Sequence, residues 1–138
     1  MKVLSCLLLL TAFACQSNQN EKKSETPTKP DAYRDLLVDR VVWNVKKGAT
    51  PQESATNRHR FTITNTSESY LYRHIEVQFD YFDSTYHKIG SAKQIIEKSI
   101  GPRAALAIGE LPDDQVKPEA KSSTVKIVKA ESARAEQE

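Results

Sequence analysis

Tyr72-Arg73-His74-Ile75-Glu76-Val77-Gln78-Phe79-Asp80-Tyr81-Phe82-Asp83 is the stretch on which the fold turns. Ile75, Val77, Phe79 and Tyr81 fall on one side of an extended chain, and His74, Glu76, Gln78 and Asp80 on the other. Side chains of a strand alternate between its two faces, so this pattern marks a strand with one face in a core and one in water. Phe61-Thr62-Ile63-Thr64 repeats the alternation and ends at the polar turn cluster Asn65-Thr66-Ser67-Glu68-Ser69.

Further strands follow in both directions. Leu36–Val45 is apolar on both sides, with Leu37, Val41, Trp43 and Val45 against Leu36, Val38 and Val42. It is expected to start the sheet and to carry the tryptophan inward. Ile89–Ile96 and Ala104–Ile108 read as two more strands separated by Gly101-Pro102, where the proline suits a strand start or an edge. A helix over Ser91–Ile100 is the competing reading there, since Ala92, Ile95, Ile96 and Ser99 fall at helical spacing. Lys121–Ala130, with Val125 and Ile127 inward, closes the domain after a loop over Pro112–Pro118. About six strands joined by short turns imply an all-β chain, a small antiparallel sandwich of two layers over residues 34–130. Residues 131–138 are charged and poor in apolar groups, and are expected to form a disordered tail.

The start of the chain speaks to location. Lys2 precedes an apolar run, Val3 to Phe13, which ends at Ala14-Cys15, and a polar stretch begins at Gln16. A basic start, a short apolar segment and small residues at the cut form an export signal, residues 1–14. The run is too short to span a bilayer, which takes roughly 20 apolar residues. With a cysteine just after the cut, the segment resembles the lipobox of bacterial lipoproteins. That resemblance implies a diacylated Cys15 and a membrane partner through the lipid anchor. Residues 15–33, with Pro27 and Pro30 and no apolar period, then read as a flexible tether. Gln16 is not the aspartate that resembles an inner-membrane retention signal, so an outer-membrane address in the cell envelope is expected.

The strand residues carry a second resemblance. Phe61–Ser67, then Ile75–Asp83, then Ile100-Gly101-Pro102 resemble the FxLYD-type domains of bacterial exported proteins. The resemblance implies an immunoglobulin-like sandwich and brings no catalytic residue with it.

Composition excludes several chemistries. The 138 residues carry a formal charge of +2, and loss of Lys2 with the signal leaves the chain near neutral, without the charge that would attract nucleic acid. Of the two cysteines, Cys6 leaves with the signal and Cys15 is taken by lipid, so neither a disulfide nor a thiolate site is expected. His59, His74 and His87 lack ligand spacing for zinc, and Asp80 and Asp83 lack a spaced oxygen loop for calcium, so no metal is expected. No nucleophile motif is present, and four glycines cannot build a phosphate loop, so neither an enzyme nor a cofactor is expected. Asp83 reads as a turn cap, and Asn65-Thr66-Ser67 as a strand-end asparagine satisfying a turn. Asp83-Ser84-Thr85 resembles O-glycosylation sites of some bacterial exported proteins, which makes Ser84 a modification candidate. Tyr70, Tyr72 and Phe82 lie on the parity opposite Phe79 and Tyr81, and are the expected exposed aromatic contact face. The functional expectation is a lipid-anchored, non-enzymatic binding or assembly module with an envelope protein partner. The alternative is a periplasmic small-ligand carrier or hydrolase whose site forms only in three dimensions.

Overall fold

The computed structural model describes residues 29–114 and 116–135. A single turn of helix, α1 (Ala32–Asp35), leads into six strands: β1 (Leu36–Lys46), β2 (Thr56–Asn65), β3 (Tyr70–Phe82), β4 (Lys88–Ile96), β5 (Ala105–Asp113) and β6 (Ser122–Arg134). They form two three-stranded antiparallel sheets, β1-β2-β5 and β4-β3-β6. The chain is thus a small all-β sandwich, as its alternation implies.

Ordering begins and ends outside the expected bounds. Asp31 caps α1, its carboxylate accepting from the Tyr33 and Arg34 amides, so the domain starts within the stretch read as tether. At the other end β6 continues to Arg134, pairing Leu71 with Ala133 and Tyr70 with Arg134. Residues 131–134 are therefore strand, held by long-range pairing that their own composition does not reveal. β5 likewise runs on to Asp113, into the stretch read as loop. Ser91–Ile96 is strand and not helix: β4 pairs with β3 from Lys88 to Ile96. The signal, Cys15 and most of the tether lie outside the described residues.

The core lies between the sheets. Ile75, Val77, Phe79 and Tyr81 of β3 are fully buried, and Phe61 and Ile63 of β2, Leu36 of β1 and Ile127 of β6 meet them. Phe61 packs edge-on to Phe79, ring centroids 6.1 Å apart. Burial of such side chains contributes about 2–3 kcal/mol each.

Two β-bulges set which residues reach this core. In β1 the register shifts between Asp39 and Val42, with Arg40 at φ 52°. Leu36 and Val38 point inward before the bulge and Trp43 after it, which is why the strand reads as apolar on both sides. In β3 the register shifts between Arg73 and Glu76, with His74 at φ 46°. Histidine tolerates this left-handed region better than bulky or β-branched residues do. The second bulge reverses the parity of everything before it.

Candidate functional site

That reversal corrects the expected aromatic face. Tyr72 is 1% exposed and belongs to the core, and Tyr70 packs against the same cluster. Only Phe82 is left partly exposed on the outer side, ten residues along the strand from Tyr72. The three residues do not form one surface. Ser84 is exposed in the β3–β4 hairpin, whose turn Asp83 closes by accepting from the backbone amides of Thr85 and His87 at 2.8 and 3.0 Å. Asn65 is fully buried at the end of β2, with its amide donating to the Tyr70 and Gly101 carbonyls and its oxygen accepting from the Ser67 amide.

The titratable side chains that converge in space do so inside the sandwich. β2 alternates strictly, and Asn57 and His59 share the inward parity of Phe61 and Ile63. The His59 ring stacks on Phe79 at 3.7 Å, and its Nε2 meets the Tyr81 hydroxyl at 2.8 Å. Tyr81 donates in turn to Asp113, which also accepts from the Asn57 amide, and Trp43 Nε1 donates to Asn57. With its proton committed to Asp113, Tyr81 accepts from His59, so the hydrogen-bond pattern assigns a neutral, Nε2-protonated imidazole. Burial pushes the His59 pKa down to about 4, against a smaller upward pull from the Asp113 charge. Burial, reinforced by Asp113, pushes the Tyr81 hydroxyl up. At the opposite end Tyr72 donates to Asp35 at 2.5 Å, and Arg34 pairs with the same carboxylate at 2.8 Å. Burial raises the Asp35 pKa, but the hydrogen bonds from Arg34 and Tyr72 outweigh it and hold the carboxyl below its ordinary range. His59 and Tyr81 are fully buried and Asp113 nearly so. The cluster resembles a proton relay in its residue types, but it closes one end of the sandwich and offers no atom to a substrate.

The two outer faces are built differently. On β4-β3-β6 the charges answer one another. Glu76 holds Lys93 at 2.8 Å and Lys129 at 3.3 Å, and Asp80 holds Lys88 at 2.6 Å and Lys126 at 2.8 Å. His74 lies between Glu97 at 3.1 Å and Glu131 at 3.0 Å. Burial raises the Asp80 pKa, yet the hydrogen bonds from Lys126, Lys88 and Gln78 carry it down to about 2. A shallow depression of about 470 Å³ beside Glu76, Lys93, Gln94 and Ile95 belongs to this face, and its charged pair is already satisfied internally.

On β1-β2-β5 the outward residues are unmatched. Leu37 and Val42 of edge strand β1 are 52% and 44% exposed. Arg58 and Arg60 stand on adjacent outward positions of β2, and among the described residues neither makes an ion pair or hydrogen bond. Ala105, Ala107 and Gly109 leave the outward side of β5 nearly bare, with nothing near the position a Gly109 Cβ would take. This face is the candidate site. Part of its signal was present in the sequence, in the run Arg58-His59-Arg60 and in the alternation Ala105-Leu106-Ala107-Ile108, but pairing of β2 with both neighbours was needed to join them.

No family model and no curated protein matches the chain. Among solved structures, the X-ray structure of Northeast Structural Genomics Consortium target SoR45 is similar at a TM-score of 0.42 and 12% identity, over 74% of this chain and 88% of that one.

Proposed function

We propose that this chain is a lipid-anchored cell-envelope protein of the outer membrane, and that its sandwich is a non-enzymatic binding or assembly module. The observation that carries the reading is the unmatched outer face of β1-β2-β5, with the aliphatics Leu37 and Val42 exposed on an edge strand. Exposed edges and apolar groups in water are liabilities for a free monomer, and proteins that keep them use them for contact. Ala14-Cys15 and the polar run after it support anchoring, with the FxLYD-like pattern as the related domain type. Two acyl chains hold a protein stably at a bilayer where one does not. A tether then raises the effective concentration of the domain near an envelope protein partner.

Two measurements test this. Cys15→Ser is expected to remain uncut or to leave the membrane fraction, and the native chain to incorporate labelled palmitate. Processing of the Cys15→Ser chain together with absence of palmitate from the native one refutes the anchor. A photo-crosslinking residue at Val42 is expected to capture an envelope protein, and the same residue at Lys93 to capture none. Equal capture from both positions removes the β1-β2-β5 face as the site.

A further inference from the structure

Arg58 and Arg60 hold the feature of this face that a merely solvated surface does not need. A surface arginine is ordinarily free to reach water or a carboxylate. Here the Arg58 Nε is buried without a hydrogen-bond partner. A buried donor left unmade is a cost that a partner within the fold would have removed, so the described fold fixes the stem of this guanidinium without engaging it. Arg60 follows two residues later on the same side, which sets the two guanidinium stems about 6.8 Å apart along the strand. The carboxylates of the same face are Asp39 on β1 and Glu110 at the β5 bulge, and neither makes an ion pair with the two arginines. Guanidinium forks match carboxylates two bonds at a time, and arginine is enriched where interfaces draw their energy.

The neighbourhood favours a protein chain over a free anion. Beside the arginines, Ala107 and Gly109 leave room for a backbone to approach, and Val42 offers an aliphatic contact. An extended segment with carboxylates at alternate positions repeats the 6.8 Å spacing (roughly) and presents the residue between them to the other side. We infer that the outer face of β1-β2-β5 docks an extended acidic segment of a partner protein, with carboxylates two residues apart paired to Arg58 and Arg60. The inference rests on the binding-module reading and names the chemistry of its partner.

The test uses the full chain in detergent and three fluorescent eight-residue peptides centred on Glu-Val-Glu, Gln-Val-Gln and Lys-Val-Lys, read by anisotropy at low salt. The Glu-Val-Glu peptide is expected to bind at least about tenfold more tightly than the other two, and to weaken with added salt. Arg58→Gln and Arg60→Gln are each expected to lower that affinity about tenfold with no fall in melting temperature, while Lys93→Gln leaves the affinity unchanged. Equal binding of Glu-Val-Glu and Gln-Val-Gln, no binding of either, or insensitivity to both arginine variants overturns the inference. Inorganic phosphate or phosphatidylglycerol vesicles that displace the peptide and bind more tightly themselves also overturn it, in favour of a phosphate or membrane ligand. Capture at Val42 that survives Arg58→Gln/Arg60→Gln removes the acidic partner and keeps the binding module; loss of all capture at Val42 in the native chain removes the module itself.

Discussion

His59 makes the stability of this domain depend on pH in a window where few other groups titrate. Its imidazole is fully buried and neutral, stacked on Phe79 and hydrogen-bonded to Tyr81, and its Nδ1 has no partner. A proton added there would be a charge without water, and the Asp113 carboxylate beyond Tyr81 offsets only part of that cost. The folded pKa is about 4 and the ordinary value 6.5. Between those values the unfolded chain binds more protons than the folded one, so stability rises with pH across the window and is lost as pH falls. From pH 7.5 to 4.5 the expected loss is about 2–3 kcal/mol. That is a large share of the stability of a small domain, about 5–15 kcal/mol. Carboxylates begin to titrate toward pH 4.5, and that contribution is common to the native chain and a His59 variant. The assay is urea unfolding followed by tryptophan fluorescence at half-unit steps of pH, on the native chain and on His59→Phe. Phenylalanine retains a ring on Phe79 and cannot titrate. The native midpoint is expected to fall steadily below pH 6.5, and the variant midpoint to fall less steeply, with the two curves diverging between pH 6.5 and 4.5. Parallel slopes for the two proteins would refute a buried neutral imidazole.

Three further outcomes follow from the packing. Phe79→Ala is expected to cost about 3–5 kcal/mol and Gln78→Ala under about 0.5, both by urea unfolding; equal costs would overturn the inward assignment. Tyr72→Phe removes the hydroxyl from Asp35 while Arg34 stays paired to it, and is expected to lower stability by about 1–3 kcal/mol, with no change in peptide binding. Tyr72→Phe that leaves thermal unfolding unaltered would place Tyr72 outside the core. Far-ultraviolet circular dichroism of the chain is expected to be dominated by strand, and a helical spectrum would refute the sandwich.

The layer architecture was legible because alternation is a local property. Ile75, Val77, Phe79 and Tyr81 had to share a face, and whichever sheet β3 joined, that face had to be buried. Trp43 was rightly expected inward. Unbroken alternation through His74 puts Tyr72 on the outer side, but one bulged residue moves every earlier side chain to the other face, and Tyr72 is core. The two-sided apolar pattern of β1 was the same signal in another form. Read together with Arg40, it marks a strand that changes parity midway and not one buried on both faces.

The buried polar cluster was half legible. Asn57 and His59 lie on the parity of Phe61 and Ile63, and polar residues on a core parity need internal partners. Asp113 is fifty-six residues from Asn57 in sequence, and nothing local announces that β5 will lie beside β2. The candidate face is hidden in the sequence for the same reason. Each of its strands looks unremarkable alone, and the unmatched arginines become visible only beside the bare side of β5.

Two Tyr–Asp contacts explain how so small a sandwich can leave a whole sheet face uncommitted. The described fold has two sheets of three strands each, and the core is modest. Tyr72 and Asp35 close one end, and Tyr81 and Asp113 the other. Hydrogen bonds to charged groups contribute about 1.5–3 kcal/mol each, and these two join elements far apart in the chain. The β4-β3-β6 face adds carboxylates held by paired lysines, whose exposed positions make each bridge worth little singly. None of these contacts draws on the outward side chains of Arg58, Arg60, Ala107 or Val42. The residues that hold the domain together and the residues proposed to meet a partner are therefore separate sets on opposite parities of the same strands. Substitutions at the face should change capture without lowering stability, and substitutions at the two closed ends should lower stability without changing capture.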